Sequence, residues 1–288
     1  MFPKSLEWPL ERWVNEALDW LITGYGDQFE VVSDFILSVL IWIEWALLTI
    51  PWWGVIILLC ALSWHASRSW KLPVIVGSCL ILVGSLGLWN LTMQTMALMI
   101  VAVLLSVMIG LPLGVLMSQS NRLQGVLTPV LDAMQTVPPF VYLVPAVMLF
   151  GLGKVPAIIA TVIYAVPPLA RLTNLGIRLI DREVMEASAA FGTGKLRQLM
   201  QVQFPLAMPN VMAGINQCTM MALGMVVIAS MIGARGLGEQ VLVGIQRLDV
   251  GKGVVGGIGI VALAIIFDRI TQAYGKRQMR HISQRSET

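Results

Sequence analysis

The chain has 288 residues, of which 57% are hydrophobic and only 12% charged, with a formal net charge of +3. A soluble domain is about 45–50% apolar and about 25% charged, so this chain lacks the charge to cover a water-facing surface. The composition excludes soluble enzymes and nucleic-acid-binding modules and describes an all-α, polytopic membrane protein.

Residues 1–45 come first and are unusual in carrying most of the acid. Through residue 46, Lys4 and Arg12 stand against Glu7, Glu11, Glu16, Asp19, Asp27, Glu30, Asp34 and Glu44. Mixed with Trp13, Trp20, Trp42 and Trp45, these residues predict one or two amphipathic helices at the membrane surface. No basic stretch followed by an apolar core and a cleavage site is present, which speaks against a cleaved signal peptide.

A helix needs about 20 apolar residues to cross the hydrocarbon layer. Seven stretches qualify or nearly so: 46–66, 73–90, 94–118, 134–151, 155–171, 210–232 and 253–273. The fourth and fifth are short and interrupted by proline. The first two read as accessory helices (46–91), the next five as a transport core (92–275), and 276–288 as a basic tail.

Basic loops stay on the cytoplasmic side. With seven spans, Arg68, Lys71, Arg122, Arg171, Arg178, Arg182, Lys195, Arg197 and the tail residues Lys276, Arg277, Arg280 and Arg285 share one side. Lys154, Arg235, Arg247, Lys252 and the acidic front take the other. The predicted topology is N-terminus outside and C-terminus in the cytoplasm.

Ionisable groups are nearly absent from mid-span; His65, Asp268 and Arg269 lie near span ends. Retained mid-membrane charges usually mark ion or proton pathways, so their scarcity argues against ion coupling. No HExxH, GxSxG or paired intramembrane acids are present, and no hydrolytic site is expected. Cys60, Cys79 and Cys218 sit in apolar runs without metal or disulfide spacing. The nearest candidate Gly-Lys pair, Gly194-Lys195, is followed by Leu196 and has Ala189 where a phosphate-binding loop needs its first glycine. The chain therefore cannot bind ATP by that loop.

The stretch from Arg171 to Pro209 is too polar for a span and too long for a turn. Asp181 is placed to cap a helix with Glu183 in its first turn, and the helix-forming run to Phe191 stops at Gly192. A second helix follows, with Leu196, Leu199 and Met200 on one face, bounded by Pro205 and Pro209. The result is a helical elbow over 181–205. By geometry alone it serves either as a docking element or as an interfacial helix that closes a long loop.

Within it, Glu186-Ala187-Ser188, then Gly192, then Val202-Gln203-Phe204-Pro205 resembles the EAA motif of ABC importer permeases, with the spacing kept and Ser188, Val202 and Phe204 as mild substitutions. The resemblance implies a type I importer core of five helices and a coupling helix that docks on a separate cytoplasmic ATPase, with ATP and magnesium held by that partner and no cofactor in this chain. It assigns ATPase coupling to Glu186, Ala187, Ser188, Gly192 and Pro205. Met134–Pro145 and Ile232–Glu239 are similar to segments of the glycine betaine/proline betaine/choline branch. That branch implies a substrate-binding protein and a second permease copy as partners, besides membrane lipid. Methionine importers share the core and the elbow and are the nearest alternative; an ion-coupled carrier acting alone is the other.

Pro138, Pro139 and Pro145 remove backbone donors from the fourth span, and Pro167 and Pro168 from the fifth. Broken helices survive where they face protein or a watery path, so both spans are candidates to line a pathway; kinks for packing are the alternative. Pro138, Pro139, Phe140, Tyr142 and Tyr164 are the predicted pathway residues. All ten Trp lie between Trp8 and Trp89, which leaves few aromatics in the core to cage a quaternary ammonium. Gly110, Gly114, Gly253, Gly256 and Gly257 have helix-contact spacing. Gly233, Gly236 and Gly238 predict a flexible outer turn, either a docking point or an ordinary loop.

Overall fold

In the computed structural model residues 8–286 have a described backbone and 8–277 described side chains. Lys4 and Glu7, and the side chains of Arg280 and Arg285, lie outside the described residues. Every regular element among the described residues is helical.

The first described helix is α1 (Leu10–Thr49), 40 residues long and running past residue 45, where one or two surface helices over 1–45 were expected. Its second half is apolar enough, and the helix long enough, to cross a membrane. Ile36 and Leu40 are buried against Ala97, Leu98, Val101 and Ala102. The break falls at Ile50-Pro51 because a residue before proline is pushed to extended backbone, here ψ 129° at Ile50.

Two short helices follow, α2 (Trp52–Ser67) and α3 (Lys71–Ser85), of 16 and 15 residues. Cys60, on α2, donates from Sγ to the Pro73 carbonyl of α3 at 3.4 Å. The turn between them lies beside the end of the last helix, where Arg277 Nη1 donates to the His65 carbonyl at 2.7 Å. That contact gathers Arg68, Lys71 and the C-terminal region at one end of the molecule.

The centre is built from α4 (Trp89–Gln119), α7 (Lys154–Arg178) and α10 (Phe204–Ser230). Small residues let these backbones approach. A Cβ on Gly114 would lie 2.5 Å from the Ala170 carbonyl, and one on Gly176 would lie 2.7 Å from Asn210 Cβ. Gly110 meets Val166 and Leu169 while Gly114 meets Ala170 and Thr173, so α4 and α7 run parallel. Pro167 and Pro168 do not interrupt α7; both are buried within a continuous helix. The fifth span is therefore one continuous helix and not a broken one.

The fourth span is broken. α5 (Asn121–Thr136) and α6 (Pro139–Phe150) meet at 96°, so the helical part begins at Asn121 where the span was expected over 134–151. Beyond α7 come α8 (Arg182–Ala190) and α9 (Lys195–Gln198), then a π-helical turn (Leu199–Gln203) that runs directly into α10. The outer turn after α10 leads to α11 (Leu237–Arg247) and then to α12 (Val250–Ser286). That turn is packed tightly where flexibility was expected: Gly236 sits against Thr95, and the Leu237 N–H donates to Thr95 Oγ1 at 2.8 Å. Gly253 is likewise a contact, with Gly244 against its backbone, while Gly257 faces open space.

Among the described residues five helices are long and apolar enough to cross a membrane, or six if the bent pair counts as one span. The expected count of seven included the regions of α2 and α3, each shorter than an ordinary span, and did not include α1.

Candidate functional site

The elbow is organised by local rules. Asp181 Oδ1 accepts from the Glu183 N–H at 3.0 Å, which satisfies one free donor at the start of α8. At the other end Gly192 takes φ +76°. The Gly192 N–H donates to the Ala189 carbonyl at 2.9 Å, and the Thr193 N–H to the Ser188 carbonyl at 3.3 Å. This is a Schellman closure, which needs a left-handed residue at the position Gly192 fills. The chain then turns back, and Gln198 Nε2 donates to the Met185 carbonyl at 2.8 Å, joining the two arms.

Pro205 sets the next feature. It has no N–H, and its ring crowds the carbonyl four residues earlier. The helix widens before it, so the Phe204 N–H reaches the Leu199 carbonyl five residues back. The second arm therefore continues into α10 as one 36-residue helical run, where a stop at the prolines was expected.

No residue of α8, α9 or the π turn is fully buried. Phe191 is 90% exposed, Leu196 74% and Met200 63%. Glu186 and Ala187 are exposed, Ser188 is half-buried with its hydroxyl enclosed and unpartnered, and Pro205 is exposed. Arg182 and Glu186 pair at 3.5 Å in full solvent, a contact of small energetic weight. A polar, capped element that holds three large apolar side chains in the open has the chemistry of a docking surface.

The broken span gathers the second set of residues. Val137 and Pro138 have extended backbone, with ψ 130° and 137°, and α6 starts at Pro139. Tyr142 reaches back across the corner, its hydroxyl donating to the Met134 carbonyl at 2.8 Å. That bond satisfies a carbonyl left free at the end of α5. Tyr142 and Tyr164 pack into one cluster with Leu143, Ala160 and Met225. Pro138 and Phe140 are exposed at the corner, so they are not in that cluster.

Polar contacts that composition did not reveal tie this region to α7. Asp132 of α5 pairs with Arg171. Arg178 donates from Nη1 to Asn121 Oδ1 at 2.7 Å and from Nη2 to the Met117 carbonyl at 2.9 Å. The two arginines were expected in a loop; both lie inside α7. Their seven-residue spacing, which puts them on one helix face, was the available signal. A second unforeseen cluster joins α10 to α12: Asp268 Oδ1 accepts from Asn216 Nδ2 at 3.0 Å and from Gln272 Nε2 at 2.7 Å. Its carboxylate is thereby satisfied by neighbours near the end of the span.

Comparisons with known proteins extend these observations. Residues 106–280 match the family described as binding-protein-dependent transport system inner membrane component. The chain is 47% identical over 268 residues to the glycine betaine/proline betaine transport system permease protein ProW of Escherichia coli (strain K12), covering 93% of this chain and 75% of that protein. It is 43% identical over 272 residues to the glycine betaine/carnitine transport permease protein GbuB of Listeria monocytogenes serotype 1/2a (strain 10403S), covering 93% and 96%. Among solved structures, an inward-facing conformation of the MetNI methionine ABC transporter aligns with a TM-score of 0.55 and 24% identity, covering 66% of this chain and 93% of that one. That likeness concerns the fold.

Proposed function

The chain belongs to the binding-protein-dependent transport system inner membrane component family, and from that premise we propose that it is the membrane-spanning subunit of an ATP-driven importer for glycine betaine, proline betaine or related quaternary amines. The observation that carries this reading is the 47% identity, along nearly the whole chain, to a permease named for those two solutes. The methionine transporter shares the architecture at 24% identity, which speaks to fold and not to cargo.

The elbow is the docking point for a separate cytoplasmic ATPase. Phe191, Leu196 and Met200 supply apolar contact, Glu186 a charge, and Ala187 and Ser188 allow close approach. ATP and magnesium bind to that partner, and this chain supplies no catalytic group. An external binding protein selects the solute and delivers it to the opposite face. Two copies of the chain enclose the path, surrounded by membrane lipid. The contact of Arg277 with His65, near Arg68 and Lys71, supports a cytoplasmic C-terminus, and the pairing of Glu44 with Lys154 supports an outer location for the end of α1.

The broken fourth span is the proposed gate. Discontinuous helices are tolerated where backbone faces a cavity, and Pro138 and Pro139 create such a discontinuity. A quaternary ammonium keeps its charge at every pH and has no N–H to donate. Phe140, Tyr142 and Tyr164 suit it because an aromatic face attracts a cation without hydrogen bonds.

Uptake of a panel of quaternary amines by the complete assembly in proteoliposomes tests the reading. ATP-dependent accumulation of glycine betaine or proline betaine, abolished without the binding protein, is the expected result. Accumulation by this chain alone on a sodium or proton gradient would replace it with an ion-coupled carrier.

A further inference from the structure

Helix α5 is thinly anchored beside α4, α7 and α10. Of its residues only Leu131 is buried, in a small cluster with Met117 and Ala170. Its polar attachments to α7 are two, and both come from arginines seven residues apart on one face of α7. Arg178 holds Asn121 at the start of α5, and Arg171 pairs with Asp132 eleven residues later. Eleven residues also return to the same helix face, so α5 and α7 run antiparallel with two matched points of contact.

Arg178 does more than hold Asn121. Its Nη2 donates to the Met117 carbonyl in the last turn of α4, where carbonyls lack helical partners and a cation is favoured by the dipole. Its Nε donates to Asn174 Oδ1 at 2.9 Å, which fixes the guanidinium orientation. One side chain therefore joins the end of α4, the start of α5 and the end of α7. Three residues further on stands Asp181, the cap of α8. A second strand of contacts runs from the elbow to the same place: Gln203 Nε2 approaches Met185 Sδ at 3.5 Å, and Gln119 Nε2 donates to Gln203 Oε1 at 3.3 Å.

We propose that Arg178 and Arg171 are positioning residues that make α5 move as one body with α7 when the elbow moves, so that displacement at α8 reaches the break at Val137-Pro138. The physical reason is the contrast in attachment. α7 is packed along its length and passes directly into the elbow, whereas α5 has too little buried apolar surface to follow it without the arginines. With the clamp intact, a shift of the elbow swings α5 about the extended residues Val137 and Pro138. Without it, the elbow moves and the gate stays. The proposal rests on the reading of 181–205 as an ATPase-docking elbow, and its test separates the two.

The first measurement needs no ATPase. Hydrogen exchange in the purified chain, in lipid nanodiscs, is compared between wild type and Arg178→Gln, Arg171→Gln and Asn121→Ala. Loss of a charged hydrogen bond predicts opening of 121–136 that rises about tenfold or more, with the buried middle of α4 and α7 unchanged. The second uses the full assembly and reads ATP hydrolysed per solute imported. The ratio should rise at least about tenfold in Arg178→Gln, stay near wild type in Arg178→Lys only if a single contact suffices, and recover in the charge-swapped Asp132→Arg/Arg171→Asp pair relative to either single change. Unchanged exchange over 121–136, or hydrolysis and uptake falling together at constant ratio, overturns the proposal. Wild-type assembly that imports nothing on ATP, with exchange altered as expected, removes the docking reading and leaves the clamp.

Discussion

Glu44 and Lys154 form an ion pair of 2.5 Å whose side chains are only 14% and 22% exposed. The contact joins the last turns of α1 to the first residue of α7. It ties the acidic N-terminal helix to the most deeply packed helix of the core, and the Phe29–Phe150 edge contact ties the same helix to α6. The end of α1 is thereby fixed to the core, while the earlier acids from Glu11 to Asp34 stay exposed.

Removing one partner of such a pair leaves an unmatched, largely enclosed charge. Glu44→Gln and Lys154→Met should each lower stability by roughly 2 kcal/mol, while the double change costs less than the sum. Thermal unfolding of the four proteins in one detergent measures the coupling. Additive losses would mean that the ion pair contributes nothing of its own.

At the elbow, Gly192→Asp and Glu186→Lys should abolish coupled transport without removing the protein from the membrane. A side chain at φ +76° costs about 1 kcal/mol and opens the Schellman closure. The charge reversal at Glu186 alters the exposed face itself. ATP-driven uptake in proteoliposomes should fall by at least about tenfold in both, which corresponds to ~1.4 kcal/mol of lost coupling. Normal uptake by both would withdraw the docking role from these residues.

Two glycines separate packing from propensity. Gly114→Ala places a Cβ 2.5 Å from the Ala170 carbonyl and 2.6 Å from Thr173 Cβ, so α4 and α7 must part. A loss of about 1–3 kcal/mol is expected. Gly125→Ala on α5 meets nothing within 4 Å and should be neutral or stabilising by up to ~1 kcal/mol. Their unfolding midpoints should move in opposite directions or differ clearly.

Thr95→Val keeps the shape of a buried side chain and removes its oxygen. The Leu237 N–H, which donates to Thr95 Oγ1 at 2.8 Å, then has no acceptor in a buried site. The expected cost is about 1–3 kcal/mol, with Thr95→Ser close to wild type. Equal stability of the valine and serine variants would show that the bond is dispensable.

The first arm of the elbow was legible residue by residue, because its determinants are local. A capping Asp181, the helix-forming run to Phe191 and Gly192 at the turn act over three or four neighbours, and those distances along the chain are distances in space. The break in the fourth span was legible for the same reason, since Pro138 and Pro139 act on their own backbone. Pro167 and Pro168 gave the same local signal and a different outcome. Packing on several sides holds α7 continuous, and no local rule contains that packing.

What the sequence alone determined is the solvent, the helical class, the elbow and the family resemblance, all of which follow from composition or short-range spacing. Tertiary structure decided where the scarce charges find partners. Glu44 meets Lys154 across 110 positions of chain, and Arg178 meets Asn121 across 57. A low-dielectric interior makes an unpaired charge expensive, so each such group must find a partner wherever the fold brings one near. Which partner that is depends on helix directions and close approaches at residues such as Gly114, and those exist only once the helices have packed.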